Sequence, residues 1–379
     1  MSREERVLVV ERPGRVALAA APPEPALPEG LVDVRTLYSG LSAGTDLSFV
    51  KGTHPSLHIG WDSELALFDS RRPGQDYPVR RWGYMQVATV VGSRDPAFET
   101  GELVAMTYGH RSAYRADPRS DRMVRLPADL EPLLGIYVAH LGPICANGLL
   151  HAAADLQGSD VRSLADGVRE RVVVVTGAGV VGLLTALFAR WHGAQEVVLV
   201  EPTPERRAVA EALGFEALDP GTVDPAVLLK TRWRHGPGDR GADVVFQCRG
   251  RPASLALALR AVRPQGTVID LAFYQDGAAA VRLGEEFHHN GLTVRCAQIG
   301  RVPRGLAHEW DRERLSARTI DLLWGADGAA VRKHVVTDVV PVEEAPALLE
   351  ALVQRRRHVL QAVFTFGRTT ASPARRTRS

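Results

Sequence analysis

Cysteine is scarce in this chain. Cys145, Cys248 and Cys296 are the only three in 379 residues. They are too few and too far apart for a disulfide framework or a multi-cysteine zinc site, and the count fits a reducing cytoplasm. An excess of one charge is missing too. Lys and Arg number 46 against 44 Asp and Glu, a net +2, which gives no broad field for nucleic acid or a charged membrane. No apolar run is long enough to span a bilayer, and the start, Met1-Ser-Arg-Glu-Glu-Arg, is charged and unlike a signal peptide. Internal repeats are absent. The expected partner is therefore a small-molecule substrate, with no nucleic acid and no membrane.

What is present reads as two domains, since 379 residues exceed one ordinary core. Residues 1–153 are mostly short apolar runs between turn signals. Val7-Leu-Val-Val, Leu31-Val-Asp-Val-Arg-Thr-Leu, Met85-Gln-Val-Ala-Thr-Val-Val and Glu102-Leu-Val-Ala-Met are strands by this pattern. Residues 54–82 are irregular, rich in Trp, Pro, Gly and Arg, and read as an insertion or a pocket wall. Residues 131–154 turn helical, with Ile136, His140, Ile144 and Leu149 on one face.

The pattern then changes. Apolar runs begin at Arg171, Glu196, Ala242, Gly266 and Leu292, and helices are predicted over 180–192, 204–213 and 253–262. Strands alternating with helices at this spacing predict a doubly wound α/β parallel sheet over 154–300. After Gly300, helices are expected at 315–323 and 342–354 and a strand from Val359. This segment, 301–370, is too small to stand alone and is expected to return to the first domain. Residues 371–379, with Arg375, Arg376 and Arg378, are expected to be a disordered tail.

The sharpest motif is Gly177-Ala-Gly179-Val-Val-Gly182. It follows a strand, opens a helix, and is trailed by Glu201 at the end of the next strand, the context of a dinucleotide site. Gly177 permits the turn, Gly179 lets the backbone approach a pyrophosphate, and Gly182 allows close helix–strand packing. The amides around Val180 and Val181 then face the anion. Glu201 can accept from both hydroxyls of the adenosine ribose and would repel a 2′-phosphate, so NAD is favoured over NADP. Arg206 and Arg207 follow, able to hold a phosphate or to form a solvated helix face. Cys248, Arg249, Ala272 and Phe273 follow the third and fourth strands, where either cofactor contact or ordinary loop packing would place them.

Taken together, the chain resembles the medium-chain dehydrogenase/reductase superfamily, that of the zinc alcohol dehydrogenases, over nearly its whole length. Val335-Val-Thr-Asp-Val-Val-Pro-Val-Glu-Glu-Ala looks like the late strand-plus-helix element of that family. The resemblance implies a GroES-like catalytic domain (1–153 and 301–370), a Rossmann domain (154–300) and a homodimer paired through the Rossmann sheet. Gly83-Tyr-Met, Gly142-Pro-Ile-Cys-Ala-Asn-Gly and Glu286-Phe-His-His-Asn look similar to a branch that includes bacteriochlorophyllide dehydrogenases. The departures are chemical. Ala43 stands where catalytic-zinc members carry a Cys, Tyr84 stands where they carry a zinc-binding His, and the lobe of four close cysteines is absent. With those ligands gone, no zinc is expected.

Without a metal, a hydrogen-bond donor must stabilise charge on the substrate oxygen. Tyr84 is the leading candidate, its alternative being a core tyrosine bonded to backbone. Thr45 matches the family's relay hydroxyl, and Asp46 is expected behind it. His110 lies where the family's pocket wall runs and could pass protons, or be a surface-loop histidine. His140 could approach the nicotinamide or be a buried, satisfied histidine. His288 and His289 should sit at the amino end of the fifth strand, away from the cofactor. Asn147 is open between substrate contact and a local cap. The expected reaction is interconversion of a secondary alcohol and a ketone. Reduction of a conjugated C=C bond, redox-neutral epimerisation and non-catalytic NAD(H) binding are the alternatives.

Overall fold

The computed structural model describes residues 5–21, 25–275, 277–279 and 281–367. The tail expected over 371–379 lies outside them.

The first sheet is built from both ends of the chain. Its strands run in the order Val336–Pro341, Gln361–Thr365, Val32–Gly40, Gln86–Ser93, Leu103–Met106 and Val124–Arg125, with Ala113–Ala116 also pairing Val32–Gly40. The closing strand pairs antiparallel to Val32–Gly40, Phe364 opposite Ser39. This is why residues after 300 cannot form a separate core. A hairpin, Arg6–Arg12 with Arg15–Ala20, lies beside the sheet, and a short helix, α1 (Ala43–Lys51), follows Val32–Gly40 and stops at Gly52 in a left-handed conformation, φ 77°. The irregular stretch contains one small hairpin, Gly60–Asp62 with Leu67–Asp69.

The helix expected over 131–154 is two elements. A 3-10 segment covers Pro132–Tyr137, and α2 (Leu141–Gln157) begins only after His140, whose φ of −144° breaks the helical path. Buried residues of α2 belong to one apolar cluster with Met85 and Val87 of the first sheet and Val173 and Val175 of the second. That shared core holds the two halves together.

The second sheet is parallel, in the order Glu216–Leu218, Glu196–Val200, Val172–Thr176, Ala242–Gln247, Val262–Asp270, Thr293–Cys296. Numbered along the chain this is 3-2-1-4-5-6, the Rossmann order. The valine run explains its two-sided burial. Val173 and Val175 pack on one face with Leu183 and Leu187 of α3 (Val180–Trp191). Val172 and Val174 pack on the other with residues of α5 (Pro225–Arg232) and α6 (Pro252–Ala261); α4 (Pro204–Ala212) follows Glu196–Val200. A strand covered on both faces is apolar at every position, which is why the sequence shows a run and not an alternation. Glu216–Leu218 escaped the sequence reading because three residues at a sheet edge carry no periodicity. Past the second sheet, α7 (Arg312–Leu323), capped by Asp311 accepting from the Arg314 amide, returns against α2. No helix among the described residues is long and apolar enough to cross a membrane.

Candidate active site

A cleft of about 460 Å³ opens where the two sheets meet, at the carboxyl ends of the second sheet's strands. One wall is the glycine turn. Gly177 has φ 100°, a conformation that favours glycine. A Cβ on Gly182 would lie 1.8 Å from the Gly177 carbonyl oxygen, so only hydrogen lets α3 approach the turn this closely. A Cβ on Gly250 would lie 2.1 Å from the Phe273 carbonyl oxygen. Gly179 sits at the N-cap of α3 with no side-chain cap, which leaves the first amides of the helix available to an anion. The guanidinium of Arg206 hangs over that opening, its Nη1 3.9 Å from where a Gly179 Cβ would be, and its buried Nε has no partner. These features fit a dinucleotide pyrophosphate.

Glu201 ends the neighbouring strand and is fully buried. Its Oε2 accepts from the Ala178 amide (3.0 Å) and its Oε1 from the Thr203 amide (2.9 Å). Arg249 Nη1 is 3.7 Å from Oε1. Burial works to raise this carboxyl's pKa, but the hydrogen bonds from Thr203 and Ala178 and the charge of Arg206 outweigh it and hold it below the ordinary value. Arg207 is not an anion ligand here. It donates to the Glu201 carbonyl (2.9 Å) and pairs with Asp219 (2.9 Å). Beyond Arg249 a second cleft of about 880 Å³ continues past Val200, Pro202 and Arg251. The groove thus crosses the point where strand order reverses, the expected place for a ligand in such a sheet.

The opposite wall comes from the first domain. Ser42, Ala43, Gly44 and Thr45 start α1 in the cleft, and Tyr84 and His140 face them. The Tyr84 hydroxyl is hydrogen-bonded to the Ser42 hydroxyl. Burial and the nearby Asp46 charge push its pKa up to about 12, against the opposing bonds from Ser42 and Thr45. The phenol is therefore a proton donor at neutral pH and a poor base. The His140 ring lies 4.5 Å from the Tyr84 ring, centroid to centroid. His54 stacks on Phe49 at 3.9 Å and approaches Phe273 across the cleft at 5.6 Å. Gln275 ties the two walls, donating to the Gly44 carbonyl (3.1 Å) and accepting from Thr53 (2.7 Å).

Most of the residues singled out from sequence meet in this cleft: Tyr84, Thr45, Gly177, Gly179, Val180, Val181, Glu201, Arg206, Cys248, Arg249, Ala272 and Phe273 line it. Gly182 packs just beneath. His110 must be corrected. It is neither in the cleft nor on the surface, but buried with Nδ1 2.7 Å from the Ser39 hydroxyl and Nε2 3.5 Å from Asp46 Oδ2. Trp82 and Phe364 close over its ring. Its place is behind Asp46, which in turn accepts from the Ser42 amide (2.7 Å) and fixes the start of α1. Asn147 touches neither substrate space nor its own helix end. It donates to the carbonyls of Ala297, Gln298 and Arg301, clasping the loop after the last strand to α2. His288 and His289 are exposed, away from the cleft.

The sequence reading also passed over lining residues. Gln298 and Ile299 follow the last strand, and Leu360 and Gln361 come from the closing strand. Nothing local marks them, since they enter the cleft only through chain return. Among the described residues, no three of His, Cys, Asp and Glu stand together so as to hold a metal ion. The cleft's nitrogen and sulfur donors are His54, His140, Cys248 and Cys296; His140 Nδ1 is taken by a cation, Arg312, at 2.8 Å, and His54 Nδ1 by Ser56 at 2.7 Å. Burial pushes the Cys248 thiol far up. This donor set does not fit zinc.

Comparison with known proteins agrees with the geometry. The family model described as zinc-binding dehydrogenase matches residues 180–312. D-guloside 3-dehydrogenase of Escherichia coli K12 is 25% identical over 316 residues, 82% of this chain and 85% of that protein. These matches make the chain similar to the medium-chain dehydrogenase/reductase superfamily, the family model over its cofactor half and the guloside-acting relative over most of its length. Alcohol dehydrogenase TADH from Thermus sp. ATN1 superposes with a TM-score of 0.71 at 20% identity, over 95% of this chain and 99% of that one. A protein of Sinorhizobium meliloti 1021 described as a zinc-binding dehydrogenase, solved bound to NADP, gives a TM-score of 0.70 at 18% identity over 96% and 100%. At such identities these two structures speak to the fold.

Proposed function

We propose that this protein is a zinc-independent, nicotinamide-dependent oxidoreductase that interconverts a secondary alcohol and a ketone on a small molecule. The observation that carries the reading is one cleft joining an uncapped helix N-terminus at Gly179 to a protonated phenol at Tyr84. A nicotinamide coenzyme bound there supplies or accepts the hydride. The chain's own residues do the rest. Gly177, Gly179 and the amides of Val180 and Val181 would receive the pyrophosphate, with Arg206 above it. Glu201 would accept from the ribose hydroxyls, which favours NAD over NADP. Cys248, Arg249, Ala272 and Phe273 would flank the coenzyme along the strand ends.

Tyr84 would donate to the substrate oxygen as negative charge develops on it. Ser42 and Thr45 would carry the exchanged proton toward solvent through their hydroxyls, and His110 would act at a distance by holding Asp46 and the start of α1. The name of the guloside-acting relative makes oxidation of a ring hydroxyl a fitting substrate class. Strand Thr293–Cys296, at the sheet edge with Val294 exposed, would be the pairing edge of a homodimer.

The test is a panel of secondary alcohols, including 2,3-butanediol and methyl glycosides, offered with NAD and NADP, together with ketones and enones offered with the reduced coenzymes. Reduced coenzyme is followed by absorbance. Turnover of an alcohol or ketone is expected. Turnover of enones alone would transfer the assignment to C=C reduction. Coenzyme binding by calorimetry with no turnover would leave a binding protein.

A further inference from the structure

Geometry assigns the tautomer of His140. Arg312, from α7, places Nη2 2.8 Å from His140 Nδ1. A guanidinium has only donors, so Nδ1 must accept. A second proton on Nδ1 would set N–H against N–H. The single ring proton is therefore on Nε2. The clamp is braced from behind. Arg122 donates to the Ala139 carbonyl (2.8 Å), and also to the Arg312 carbonyl (2.7 Å) and the Ser316 hydroxyl (2.7 Å). It thus ties the residue before His140 to the residue that fixes its tautomer. Burial and the charges of Arg312 and Arg122 pull the His140 pKa down to about 4, in keeping with a neutral ring.

We infer that His140, held as the neutral Nε2–H imidazole by Arg312, is a second hydrogen-bond donor to the substrate oxygen, beside the Tyr84 hydroxyl in the same cleft. The inference rests on the oxidoreductase reading above. A neutral imidazole suits this task, because it donates to a developing alkoxide and keeps its own proton. In ketone reduction the oxygen would take the Tyr84 proton while retaining the bond from Nε2–H. The positive charge of Arg312, bonded to the other ring nitrogen, adds to the field felt by that oxygen. Two oriented donors would then do what a metal does in zinc-bearing relatives. Arg312 is in this scheme a positioning residue, since it acts through His140.

Nitrogen-15 NMR of the full-length, coenzyme-free protein reads the tautomer directly, with the His140 signals assigned by their loss in His140→Gln. A proton on Nε2 and none on Nδ1 is expected at neutral pH, and Arg312→Met should let the two tautomers mix. A proton on Nδ1 in the wild type overturns the proposal. Kinetics form the second arm, on whichever alcohol of the panel turns over. His140→Phe should lower hydride transfer by about 100-fold or more, the range for losing one such donor, with NADH affinity unchanged. His140→Gln, which keeps an N–H, should recover part of the loss. A wild type that turns over and a His140→Phe variant that matches it would sink this proposal alone. A wild type that binds NADH and oxidises nothing would instead sink the dehydrogenase reading.

Discussion

The carboxylate of Glu201 accepts a hydrogen bond from the Ala178 amide at 3.0 Å, so the end of one strand is bound to the glycine turn that ends its neighbour. The acid proposed to hold the ribose and the turn proposed to hold the pyrophosphate are thereby joined before any coenzyme arrives. Preorganisation of this kind lowers the ordering cost of binding.

Glu201→Gln should weaken NADH binding about 10- to 100-fold, the range for hydrogen bonds to a charged acceptor, and calorimetry would measure it. The variant should also change the acid limb of stability. The folded-state pKa of Glu201 is depressed below 4.5, so its contribution is present above that value and lost as pH falls through the depressed one. Thermal melts across this window should show a smaller acid-dependent loss in the variant. Equal losses would mean that Glu201 is not stabilised as described.

Two glycine substitutions separate packing from ligand approach. Gly182→Ala puts a Cβ 1.8 Å from the Gly177 oxygen and should lower the melting temperature and abolish coenzyme binding together. Gly179→Ala meets nothing closer than Arg206 Nη1 at 3.9 Å. It should leave melting nearly unchanged and still weaken binding, because the new methyl group occupies the approach of the pyrophosphate. Full affinity in Gly179→Ala would remove the anion from this turn.

Tyr84→Phe should cut turnover by about 100-fold or more while NADH affinity holds. The phenol's pKa of about 12 lies above its ordinary 10.0. The donor form is therefore complete below the ordinary value and lost only as pH rises through about 12. Ketone reduction should show no phenol-linked decline through neutral and mildly alkaline pH. A decline there that vanishes in Tyr84→Phe would contradict the raised pKa.

Gly83→Ala should destabilise the fold by at least about 1–2 kcal/mol, the cost of a left-handed conformation for an L-residue. Gly83 has φ 88°, and a Cβ there would lie 2.5 Å from His110 Nε2. Urea denaturation would read the loss. Activity should fall with it, since His110 holds Asp46 and Tyr84 is the next residue. Unchanged stability would show that the His110 contact is dispensable.

Metal removal offers the last test. Prolonged dialysis against a chelator should leave turnover unaltered, and elemental analysis of active protein should find no stoichiometric zinc. A turnover that disappears on chelation and returns with zinc would reverse the assignment of Tyr84.

Local patterns made the wall proposed for the cofactor legible. The valine run after Arg171, the glycine spacing and Glu201 lie within about thirty residues of one another, the span of one βαβ unit, and each carries its own physical reason. The substrate wall was legible only in part. Tyr84 and Thr45 were reached through resemblance, whereas His110 was placed in the pocket and is in fact sealed behind Asp46 by Trp82 and Phe364. Asn147 was left open between two roles and takes a third. Burial of a single polar side chain depends on what other segments cover it, and no spacing rule reports that.

The sequence by itself determined five of the six strands of the parallel sheet and the glycine turn, because strand burial, glycine conformation and helix termini are properties of neighbouring residues. Tertiary structure alone decided the tautomer of His140 and the company of Tyr84. Arg312 and His140 are 172 positions apart, and only the return of α7 onto α2 brings a fixed cation to one nitrogen of that ring.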